Sequence, residues 1–196
     1  GRRDSYVPMA KARGLVRQRT ASLLKDRYRE PGREADLARM LEIELEAIGG
    51  KAERITRHRE IARLHQQLSN DEAALSHFVQ LVLLEPHVTV NHLELEAVAK
   101  RTGQHRRLAD VFVSAADNSD DNALVVELLL SAAEVKAEKV GDIEGAIELL
   151  FRIIGPSETP SSVGGEPLLQ ACRRIAGLLE QAERRAERLD VLERLG

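Results

Sequence analysis

NDEAALSHFVQLVLLEP, residues 70–86, is the stretch on which the fold turns. Ser69, Asn70 and Asp71 offer side-chain oxygens to the N–H groups left open at the start of a helix. Ala73 and Ala74 then form a small-residue notch, Phe78 follows one turn on, and Pro86 ends the run because it has no N–H to donate. The preceding segment, ITRHREIARLHQQLS (residues 55–69), predicts the helix that packs against it. A close echo, GDIEGAIELLFRIIGP, occupies residues 141–156, again behind a helix-patterned run. A recurring helix pair implies a repeat array, in which each pair covers the apolar stripe of its neighbour.

Outward from this stretch, apolar residues recur at helical spacing along nearly the whole chain. Residues 1–8 read as a tail and 9–28 as a first helix. A second helix follows Pro31, carries Leu37, Met40, Leu41, Leu45 and Ile48, and stops at Gly49-Gly50. Helices are predicted at 51–68 and 70–85, then at 88–102 with Val90, Leu93, Ala97 and Val98 inward. The next, 104–116, turns Leu108, Val111, Phe112 and Ala115 inward, and DNSDDN (117–122) supplies capping residues. Residues 123–140 begin as ALVVELLL, apolar almost all round, which implies burial on two sides or a face awaiting a partner. Residues 143–154 form a further helix, 156–167 a polar loop, and 168–181 and 182–195 the last pair. No alternating β-branched runs bounded by hairpin turns occur.

The apolar residues that follow the notch in alternate helices are Leu37, Leu75, Leu108, Ile147 and Leu189. From Leu37 to Leu108 is 71 residues and from Leu75 to Ile147 is 72, so two kinds of helix pair alternate. The expected fold is all-α, about five antiparallel helix pairs in one array over 9–196, cut from a longer chain.

Composition narrows the function classes. Hydrophobic residues make up 43%, enough for a core, but aromatics only 3% with no tryptophan, so aliphatic helix-on-helix packing must carry it. The net charge of −3 gives no global field for nucleic acid or acidic membranes, and no apolar run is long enough to span a bilayer. Cys172 is the sole cysteine, which rules out an intramolecular disulfide and fits a cytoplasmic setting; it reads as a small buried hydrophobe.

The stretch 55–86 resembles the tetratricopeptide-repeat family. Ala62, Ala74, Phe78 and Pro86 fall at that family's small, small, aromatic and proline positions, while His58 and His65 stand where it has tryptophan and tyrosine. A second match, 126–156, has Ala133, Ala146 and Leu150. The resemblance implies a right-handed α-solenoid that acts as a non-catalytic protein–protein interaction scaffold, with a protein or peptide partner held in a groove lined by the first helix of each pair. Carried over position by position, the groove candidates are Thr56, Arg59, Arg63, Gln66 and Gln67, then His92 and Glu96, then Glu127, Leu130, Glu134 and Glu138.

His58, His65 and His77 invite a metal site, but no cysteine or clustered carboxylate completes a set in the sequence, so no metal or cofactor is expected. Residues 51–68 carry five basic and two acidic side chains, which suits phosphates, yet few aromatics are present to stack bases. A solvated helix face is the simpler account, and nucleic-acid binding ranks third among the alternatives. The carboxylates Glu127, Glu134 and Glu138 have no nucleophile or histidine poised beside them, so the chain is not expected to be an enzyme. Residues 121–148 hold seven acidic and two basic residues, which predicts a groove basic at its N-terminal side and acidic at its C-terminal side. The leading alternative is a structural spacer within a larger repeat protein. Leu189, Leu192 and Leu195 at one end, and Tyr6, Val7 and Met9 at the other, predict weak self-association through uncapped ends.

Overall fold

A computed structural model describes residues 20, 32–154, 166–181 and 191. The end stripes, the predicted helix 9–28 and nearly all of 182–195 lie outside the described residues, as do positions 155–165, which include most of the polar loop. Regular structure among the described residues is entirely helical. Eight helices follow in order: α1 Glu34–Leu45, α2 Lys51–Gln67, α3 Asp71–Leu84, α4 Thr89–Thr102, α5 His105–Asp117, α6 Asn122–Val135, α7 Ile143–Ile154 and α8 Glu166–Gln181. The contacts divide the chain into two units, residues 1–84 and 85–196.

In the first unit, α2 and α3 pair through a tight turn. Ser69 adopts a left-handed φ of 55°, and Asn70 N–H donates to the His65 carbonyl at 2.8 Å, closing the end of α2. Asn70 Oδ1 accepts from the Ala73 N–H, so the predicted cap forms. Ala62 and Ala74 are fully buried, as small residues must be where two helix backbones approach, and Phe78, Leu81 and Val82 fill the space beside them. The α1 helix joins through Leu37 and Leu41 against Ile61, with Leu45 and Leu64 packed at the edge. Each such leucine contributes roughly 1.5–3 kcal/mol by leaving water.

In the second unit each helix packs on the next, and α6 is covered by both α5 and α7. Two-sided burial thus accounts for the nearly all-round apolar start of α6, where Val126, Leu128, Leu129, Ala132 and Ala133 are buried. Asp121 caps α6, its Oδ1 accepting from the N–H groups of Ala123 and Leu124 at 2.9 and 3.3 Å. Asp121→Ala should therefore cost about 1 kcal/mol in chemical denaturation. The last turn of α6 widens into a π-helical segment, Lys136–Val140, which Gly141 ends at a left-handed φ of 76°. Asp142 then starts α7, accepting from Gly145 N–H at 2.9 Å and pairing with Lys136 Nζ at 2.7 Å. The Lys136 contact, aided by that N–H, holds the Asp142 carboxyl below its ordinary value.

The inward face of α4 differs from the one expected. Val90 and Leu93 are 63% and 59% exposed, whereas Leu95, Val98 and Ala99 are fully buried. Two apolar stripes run along this short helix, and helical spacing alone ranks them equally. Packing against α5 decides: the buried stripe carries His92, whose ring meets Phe112 at 5.5 Å. Cys172 on α8 is buried, as read from the sequence.

Candidate functional site

The first unit gathers polar side chains in two places. On the outer surface of α2, Thr56, Arg59, Glu60, Arg63, Leu64 and Gln67 surround a shallow hollow of about 320 Å³. Four of these, Thr56, Arg59, Arg63 and Gln67, are groove candidates named from the resemblance; Gln66 is half-buried beside them. Helical geometry is the reason: positions 56, 59, 63 and 67 recur at three and four residues and so share one face. Arg57, in contrast, is withdrawn from that face. Its guanidinium reaches Glu44 on α1 at 3.3 Å and Glu60 at 2.9 Å. The basic run of α2 is thus partly spent on internal pairing, which weakens its use as a phosphate-binding stripe.

The second place lies where α1, α2 and α3 meet. His58 Nδ1 and His77 Nδ1 are 3.0 Å apart, and the His65 ring lies nearly parallel to that of His77, tilted by 18° with centroids 5.8 Å apart. Glu42 of α1 points its Oε1 into this group, 2.9 Å from His65 Nε2 and 3.7 Å from His77 Nε2. His58 and His65 are buried. Burial, with His77 and then Arg54 nearby, lowers the His58 pKa to about 4. Burial also lowers that of His77, against the opposing pull of Glu42. Such rings stay neutral at pH 7 and keep a lone pair on one nitrogen.

The carboxylate missing from the sequence reading is therefore supplied by Glu42. It stands 23 residues before His65, so no local spacing announces it. The available signal was the placement of His58 and His65 two helical turns apart on one face, opposite His77 on the next helix.

In the second unit, Glu96 and Glu134 come together across a hollow of about 360 Å³, with Lys100, His105, Ser131 and Lys139 in its wall. Desolvation raises the pKa of Glu96; His92 opposes this and Glu134 adds to it. Glu134 and Glu138 also border a second hollow of about 490 Å³, together with Arg173 and Arg174 of α8. Arg174 Nη2 lies 2.9 Å from Glu134. Both hollows carry mixed charge, acidic from Glu96, Glu134 and Glu138 and basic from Lys100, Lys139, Arg173 and Arg174. Glu127 is exposed on α6. His92 is buried, its ring against Phe112. Its place in the candidate set came from counting positions from Val88, whereas packing turned that part of α4 onto Phe112.

No protein-family model matches the chain, and no curated protein matches it. Among solved structures it is similar to the nearly identical TPR-like repeats of a proposed kinesin light chain from Podosopora anserina, at 18% identity and a TM-score of 0.46, covering 91% of this chain and 93% of that one. A single-substitution variant of the same protein is also 18% identical, with a TM-score of 0.43 and coverage of 91% and 92%.

Proposed function

We propose that the chain is a protein–protein interaction scaffold, and that the α2 hollow of its first unit takes an acidic segment of a partner protein. The observation that supports this reading is the convergence of Arg59 and Arg63, with Thr56 and Gln67, on one open hollow of about 320 Å³. Two guanidiniums on one helix face offer forked donors that match carboxylate geometry. Thr56 and Gln67 add neutral hydrogen-bonding groups, and the stem of Leu64 supplies an apolar floor.

The mixed-charge hollows of the second unit favour a partner segment carrying both signs, with charge setting register more than affinity. The chemistry asked of every hollow is binding, with no step of bond making.

A peptide array screened at low and high salt tests the proposal. Acidic peptides should bind at low salt and weaken as salt screens the arginines. The double reversal Arg59→Glu with Arg63→Glu should reduce that binding at least about tenfold, the loss of roughly 1.4 kcal/mol, while leaving the helical circular dichroism unchanged. Binding indifferent to both salt and reversal would remove the α2 hollow as the site. The absence of any retained peptide would favour the spacer reading.

A further inference from the structure

We propose that Glu42, His65 and His77 form a binding site for one divalent transition-metal ion of the zinc class, which clamps α1 to the α2–α3 pair. One donor atom from each residue lies within 4.8 Å of the other two. The individual separations from Glu42 Oε1, 2.9 Å to His65 Nε2 and 3.7 Å to His77 Nε2, bracket the roughly 3.3 Å between ligands of a tetrahedral ion with bonds near 2.0 Å. The His77 distance is too long for a hydrogen bond, so this ring is aimed at the carboxylate without bonding to it. An ion between them would satisfy both.

The three donors come from three different helices, and one of them, His77, is oriented by a residue outside the donor set. The His77 ring is set by His58: with a proton on His77 Nδ1 donated to His58 Nδ1 at 3.0 Å, His77 Nε2 presents its lone pair toward Glu42. A second imidazole in that supporting position holds the tautomer and angle of a metal-bound histidine. The His65 ring lies nearly parallel to that of His77, and both Nε2 atoms lie within 3.7 Å of the same Glu42 oxygen. Without an ion, His65 Nε2–H donates to Glu42 and leaves its buried Nδ1 without a hydrogen-bond partner. Loading the site moves that proton from Nε2 to Nδ1 and frees the Nε2 lone pair for the ion.

Donor chemistry selects the ion class. Two imidazole nitrogens and one carboxylate oxygen suit zinc and its neighbours in the first transition row. Magnesium and calcium prefer oxygen sets and gain little from imidazole. Three protein ligands leave a fourth position, and Glu42, whose side chain is 42% exposed, lies on the side from which water or a partner's side chain would reach it.

The test uses the 196-residue chain, stripped with a chelator and titrated with zinc in a calorimeter, with cobalt as a spectroscopic probe. One equivalent should bind, the melting temperature should rise with zinc concentration, and magnesium at the same concentration should leave it unchanged. Glu42→Gln and His65→Gln should each abolish the tetrahedral cobalt absorption while far-UV circular dichroism stays helical. His58→Phe, which removes only the supporting hydrogen bond, should weaken zinc binding roughly 10–100-fold. No saturable zinc binding, or binding that Glu42→Gln leaves at wild-type strength, overturns the proposal. Because Glu42 lies partly exposed at the rim, its variant remains informative even if His65→Gln fails to fold.

Discussion

Ala74→Arg and Ala146→Arg are each expected to cost at least about 3 kcal/mol, a large share of the stability of a marginally stable chain. Both alanines are fully buried, Ala74 on α3 and Ala146 on α7. Each sits where a neighbouring helix comes close, with Ala62 buried opposite α3 and Ala133 buried on α6. An arginine there has no room for its stem, and overpacking alone costs about 1–3 kcal/mol. Its guanidinium must also lose water without a partner or push the helices apart to regain it. Ala97→Arg, on the exposed side of α4, is the control and should change stability by less than about 0.5 kcal/mol. Urea denaturation followed by circular dichroism measures all three. Wild-type midpoints for both notch variants would show that helix approach does not depend on small residues at these positions.

Acid should destabilise the metal-free chain as the pH falls from about 6.5 toward 4. His58 has a folded pKa of about 4 against an ordinary value of 6.5, and His77 is displaced in the same direction. Between those values the unfolded chain holds protons that the folded chain refuses, so unfolding takes up protons and stability falls as the pH drops. The contribution is whole above about pH 6.5 and declines progressively toward pH 4. At about 1.4 kcal/mol per pH unit, the His58 ring accounts for at most roughly 3 kcal/mol. The groups that face the two rings are Arg54 and His65 on α2 and Glu42 on α1. Arg54 repels a charged His58, and Glu42 favours a charged His77. His58→Gln should flatten the decline between pH 6.5 and 4 when melting temperatures are taken in the presence of chelator. A wild-type slope in that variant would place the acid sensitivity elsewhere.

The helices were legible because their signals are local. Asn70, Asp121 and Asp142 stand where helices must begin, and Gly103 and Gly141 adopt the left-handed backbone that ends two of them. The small residues Ala62, Ala74, Ala133 and Ala146, with Phe78 and Leu150 beside them, are all buried, so the spacing of notch and filler already contained the pairing of neighbouring helices. The common face of Thr56, Arg59, Arg63 and Gln67 follows from the helical repeat in the same way.

What lay beyond the sequence depends on how one helix is rotated against another. Residues 88–102 carry two apolar stripes of similar weight, and only contact with Phe112 turned His92 inward and left Val90 and Leu93 outside. The acidic side expected of the groove rested on the charge count of residues 121–148, whereas α8 brings Arg174 to Glu134 from 40 residues away in the chain. Glu42 reaches the histidines by the same kind of long-range meeting. Amino-acid order determines which residues share a face, because the helix repeat is a property of the backbone. Which faces meet is settled by the competition of all stripes for burial, and that competition is resolved only in the packed molecule.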